Sequence, residues 1–220
     1  MFLGSILAAV AAASAWLVLH GDRATLAPAA LNVAVMLGGM SGYLFVLQAR
    51  RDDAQLLTSA LASGAAASAS AASWWWARGR LPTDSRAAPR PLRWSFGAFF
   101  AVLVAAGTAL VLRAPIFPWP LNPDTSVMYG WIFLGDACFF LYAVIRPLWS
   151  WAGAQLAAFL AYDLVLIPPL LAHIENVPDG REMSLVLYLG FLFFSASVAV
   201  YYLFVSPETR MARGRSTTSS

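Results

Sequence analysis

Long apolar blocks separated by short hydrophilic pieces set the pattern of the chain. A membrane-crossing helix needs about 20 apolar residues to traverse the roughly 30 Å hydrocarbon layer. Seven segments reach that scale: 2–20, 29–48, 55–77, 96–112, 127–145, 153–172 and 184–206. The third is built largely of Ala, Ser and Gly and inserts poorly beside the Leu, Ile and Phe of the others. Its small side chains suit a central packed position better than a lipid-facing one. It ends in Trp74-Trp75-Trp76 followed by Arg78 and Arg80, an aromatic belt and basic anchor of the kind found where a span meets the interface. The predicted fold is therefore all-α: a polytopic transmembrane helix bundle of about seven spans, or six if the third does not cross. Ala13-Ser14-Ala15 resembles a signal-peptide cleavage site, but no basic residue precedes the first block, so it is read as a retained helix.

The hydrophilic pieces divide the chain. Residues 1–77 form a first transmembrane half of three spans, and residues 96–206 a second half of four. Between them lies a linker, 78–95, with five Arg and with Pro82, Pro89 and Pro91, expected to be extended and exposed. Residues 207–220 are a basic, then Ser/Thr-rich tail expected to be disordered. Pro115, Pro118, Pro120 and Pro123 stiffen the loop 113–126. Gly4 to Leu19 aligns with Gly97 to Leu112, Leu31-Asn32 with Leu121-Asn122, and Gln55-Leu56 with Gln155-Leu156. Such a repeat gives two three-helix units plus one helix. Odd-numbered units in tandem must be inverted in the membrane, as in many secondary transporters.

Composition agrees with this pattern. Apolar residues make up 60% of the 220 and charged residues 11%, against roughly a quarter charged in an average soluble domain. The chain contains no Lys, which excludes a lysine Schiff base to retinal. Cys138 is the single cysteine, so no intrachain disulfide forms, and neither a metal nor a cofactor is expected. The sequence pI of about 9.4 reflects arginines beside apolar spans, which argues for the lipid bilayer as partner and against nucleic acid. With seven spans, Arg23, Arg78, Arg80, Arg86, Arg90, Arg93, Arg146, Arg210, Arg213 and Arg215 share one side, and Arg50, Arg51, Arg113 and Arg181 the other. The positive-inside rule then predicts a multi-pass protein of a bacterial inner or plasma membrane with a cytoplasmic carboxyl terminus.

Asp136 and Asp163 are the ionisable residues that fall inside predicted spans, each near the bilayer midplane. An Asp there costs about 2.5 to 3.5 kcal/mol to insert, and an intramembrane carboxyl is by default a functional site. If the two meet they share one proton, because like charges in a low dielectric cannot both ionise. Tyr162 precedes Asp163, and Pro168-Pro169 follows it, freeing the carbonyls of Leu164 and Val165 to hold a proton or cation. The plainer alternative is that each Asp is a packing group bonded to a backbone carbonyl or a serine. His20 and His173 lie at span ends and are read as interfacial, and Glu175, Asp179, Arg181 and Glu182 as a solvated acidic loop.

Gly135-Asp136 and Tyr162-Asp163 resemble the paired aspartates of intramembrane aspartyl proteases, but in reversed order and without a Pro-Ala-Leu element. The run Phe117 to Pro123 before Trp131, with Gln155-Leu156, resembles tryptophan-rich sensory proteins of the translocator family over two spans. Neither likeness assigns the chain to a family. The leading expectation is a small carrier for a proton-coupled, apolar or cationic solute, with Asp136 and Asp163 as the titrating pair. The alternatives are a membrane enzyme acting on a lipid or isoprenoid by carboxyl acid-base chemistry, and a structural subunit of a membrane complex.

Overall fold

A computed structural model describes residues 2–80, 82, 84–172, 174 and 180–209. His173, most of the acidic loop and the tail 210–220 lie outside the described residues. The elements are α1 (Phe2–His20), α2 (Leu26–Arg51, entered by a 3-10 turn at Arg23–Thr25), α3 (Ala54–Ala77), α4 (Arg90–Val111), α5 (Pro123–Ile145), α6 (Trp149–Ala172) and α7 (Glu182–Val200). A π turn, Tyr201–Val205, extends α7. Among the described residues, five stretches are long and apolar enough to cross a membrane: Arg23–Arg51, Arg90–Val111, Pro123–Ile145, Trp149–Ala172 and Glu182–Val205. The chain is thus an all-α, multi-pass membrane protein.

Local chemistry sets the helix ends. Asp53 and Asn122 accept from the backbone N–H groups of Gln55 and Asp124 and so cap α3 and α5. The fourth helix begins at Arg90, ahead of the apolar block that marks it, because Pro91 in its first turn has a φ already suited to a helix. At its other end Ala114 N–H donates to the Ala109 carbonyl and Arg113 N–H to that of Leu110. This is the two-bond terminator usually completed by glycine. Here Arg113 occupies the left-handed position, with φ of 64°.

Packing divides the chain into two compact units, Asp22–Trp151, and Met1–Gly21 with Ala152–Ser220. In the first, α2 packs against α3 and α5, and α5 against α4. The α4–α5 seam is a backbone contact made possible by glycine: a Cβ on Gly130 would lie 2.7 Å from the Gly107 carbonyl oxygen, and one on Gly107 3.0 Å from that of Gly130. Phe96, Phe99 and Phe140 fill the same seam further along, with ring centroids of Phe96 and Phe99 each 5.3 Å from Phe140. The α2–α3 seam is also built of small residues. Ser41 Oγ donates to the Ala60 carbonyl at 2.7 Å, and a Cβ on Gly64 would lie 2.9 Å from that hydroxyl. Apart from Ala60, Ala67 and Ala77, few α3 side chains are covered, so this helix is peripheral rather than central. Its small residues form one close seam, not two.

The linker is extended only in part. Ala87 pairs with Leu148, Ala88 N–H donates to the Pro147 carbonyl, and Trp149 N–H to that of Arg86. These bonds tie the linker to the α5–α6 turn and bury Ala88. At the same end Arg146 donates to the Arg78 carbonyl, Arg78 stacks over Trp75 at 3.2 Å and Arg80 over Trp76 at 3.6 Å. The aromatic and basic anchor expected at the end of the third helix is therefore a set of cation–π contacts.

The second unit holds α1, α6 and α7. Gly153 admits the indole of Trp16, where any Cβ would collide with the ring. Trp16 also stacks on His20, whose Nδ1 lies 2.9 Å from the Trp16 carbonyl. His20 is thereby engaged at the end of its own helix.

Candidate functional site

Asp136 lies about 20 Å along α5 and about 14 Å from its end at 1.5 Å per residue, well inside the span. The side-chain amide of Asn32 on α2 donates to its Oδ1 at 2.7 Å. Gly135 makes this possible: a Cβ there would sit 2.6 Å from Asn32 Oδ1 and 2.8 Å from the Asn32 carbonyl oxygen. The missing side chain lets α2 approach closely enough for the amide to reach the next residue. Asp136 is half-buried and has a partner. An amide-carboxyl bond between helices contributes about 1 to 2 kcal/mol in model systems and less on average in a folded membrane protein.

Asp163, in α6, is in a different position. It is fully buried, at 0% exposure, and neither carboxyl oxygen has a hydrogen-bond partner among the described residues. The hydroxyl of Ser195 on α7, itself buried, faces the carboxyl without reaching hydrogen-bond geometry. One residue earlier, the Tyr162 hydroxyl lies 2.7 Å from that of Tyr188 on α7. Two polar layers therefore join α6 to α7, a bonded tyrosine pair and an unsatisfied carboxyl. Pro168 and Pro169 stand inside α6, which continues to Ala172. Leu164 and Val165, whose carbonyls these prolines leave without helical partners, are exposed at 65% and 42%, whereas Asp163 points inward.

Asp136 and Asp163 belong to different compact units, and each faces a polar side chain of its own unit. Asn32 and Ser195, which face the two aspartates, and Tyr188, which pairs with Tyr162, are additions to the sequence-based candidates. Asn32 carried a signal, an amide within an apolar span, but Ser195 and Tyr188 carried none. No group of three or more His, Cys, Asp or Glu side chains suited to a metal ion occurs among the described residues. Comparison with family models, curated proteins and solved structures finds no match for the chain.

Proposed function

We propose that the protein is a small membrane carrier that couples movement of an apolar or cationic solute to a proton, with Asp163 as the coupling group. The observation that supports this is the burial of its carboxyl with neither oxygen hydrogen-bonded among the described residues. An unpaired carboxyl inside a helix bundle costs stability and serves no packing purpose that Leu would not serve better. In apolar surroundings such a group ionises only when a cation, a solute or entering water compensates the charge. Its ionisation is therefore linked to what occupies the space beside it, which is the requirement for coupling. Pro168 and Pro169 weaken the helical ladder next to Asp163 and supply a place for α6 to bend. Asp136 is assigned a different part: bonded to Asn32 and seated by Gly135, it joins α2 to α5.

The test is uptake into proteoliposomes under an imposed pH gradient, across a panel of small apolar and cationic solutes. Wild-type protein should show gradient-stimulated uptake, Asp163→Asn should lose the stimulation, and Asp136→Asn should keep it. Equal stimulation in Asp163→Asn would overturn the assignment. No gradient-driven uptake of any solute by the folded wild type would favour the structural-subunit reading.

A further inference from the structure

Within the α2–α5 unit, one groove of about 740 Å³ opens beside the carboxyl end of α2. Its floor follows one face of that helix: Gly38, Gly42, Val46 and Arg50 recur at every fourth residue, and all four are exposed. Trp131 of α5, whose ring packs on Gly39, forms part of the opposite wall, with Val111 at the end of α4 and Arg113 just beyond it. The groove is apolar and glycine-floored along its length, with the guanidinium groups of Arg50, at the end of α2, and Arg113, just past α4, at one end.

Its charge is one-sided. Arg51, the neighbouring cation, is paired with Asp124 at 2.7 Å. Tyr43 donates to the other oxygen of that carboxylate, and among the described residues Arg113 donates to the Tyr43 hydroxyl, at 3.1 Å. Arg50 forms no ion pair among the described residues. Asp52 and Asp53 follow in the α2–α3 turn, outside the groove, and Asp53 is engaged as the α3 cap. Arg50 thus has no ion-pair partner among the described residues, and Arg113 shares the single Asp124 carboxylate with Arg51, so the lining of the apolar slot carries a net positive charge.

We infer that this groove binds an anionic phospholipid of the surrounding leaflet, with the phosphate between Arg50 and Arg113 and an acyl chain along Gly42 and Val46. The charge selects this occupant. A second copy of the chain packed through the same glycine face in parallel would bring Arg50 against Arg50, whereas an acidic headgroup neutralises both cations and its chain covers the glycines.

The experiment is native mass spectrometry of the full chain in detergent with phosphatidylglycerol or phosphatidylcholine added, with glycerol phosphate as a chain-free competitor. Arg113→Gly removes one charge while placing glycine at a left-handed position, so it retains the helix terminator. Arg50→Gln removes the other charge. Gly42→Leu fills the slot, and a Cβ there meets nothing within 4 Å, so the fold accommodates it. Arg90→Gln, on an exposed residue at the opposite end of the unit, is the control. Wild type and Arg90→Gln should prefer phosphatidylglycerol, with affinity falling about fivefold for each groove arginine removed and about thirtyfold for both. Gly42→Leu should lose the lipid with both arginines intact. Unchanged binding in the arginine variants, equal binding of the two lipids, or full competition by glycerol phosphate would overturn the inference. A wild-type dimer that Gly42→Leu dissociates would also overturn it, assigning the face to self-association.

Discussion

At the scale of single residues, two aspartates with the same sequence signature have different surroundings. Asp136 has an amide donor and Asp163 has none among the described residues, so their substitutions should separate. Asn32→Ala removes the donor and should destabilise the protein by about 1 kcal/mol, whereas Asp136→Asn, which retains a side-chain oxygen to accept the bond, should cost less. Thermal unfolding in detergent measures both. Replacing Asp163 with Leu should raise the unfolding midpoint, because an unsatisfied polar group gives way to apolar packing, and should abolish coupling. A lowered midpoint would mean that Asp163 holds the helices together. The position of both carboxyls well inside their helices was legible in the sequence, because it follows from position within an apolar block. Their partners were not: nothing local to Asp136 or Asp163 indicates that Asn32 lies opposite one and Ser195 opposite the other.

At the scale of helices, apolar block length located the elements, and proline and capping chemistry moved their ends. The block beginning at residue 96 understated α4 because Arg90 to Ser95 is polar or interfacial, yet Pro91 and the linker bonds allow the helix to start earlier. The close seams were invisible to periodicity, since Gly107 and Gly130 look like any other glycines in an apolar run. They are irreplaceable for a stated reason: each occupies space against the other's backbone, which cannot move aside as a side chain can. Gly130→Ala and Gly107→Ala should each cost about 1 to 3 kcal/mol by overpacking. Gly97→Ala, where a Cβ meets nothing within 4 Å, should be neutral or slightly stabilising because alanine favours a helix. Unfolding in denaturing detergent compares the three, and equal behaviour would refute the backbone contact at the seam.

At the scale of the molecule, charge gives the α2–α5 unit a polarity. Arg23, Arg78, Arg80, Arg86, Arg90, Arg93 and Arg146 belong to one end of its helices, and Arg50, Arg51 and Arg113 to the other. This asymmetry supports a cytoplasmic position for the linker end. In a background with Cys138 replaced by Ser, a cysteine at Ser85 should then resist a membrane-impermeant thiol reagent in intact cells, and one at Asp52 should react. The reverse pattern would invert the topology. Burial of Asp163 and the groove below Arg50 and Arg113 are features of separate units, so loss of the proposed coupling should leave the proposed lipid binding intact, and the reverse.

The most direct test of the central claim is infrared difference spectroscopy of the carboxyl C=O band as transported solute is added to wild-type, Asp163→Asn and Asp136→Asn protein. A band whose intensity changes with solute in wild type and in Asp136→Asn, and which is absent in Asp163→Asn, is the predicted result. A solute-dependent band that survives in Asp163→Asn would contradict the account.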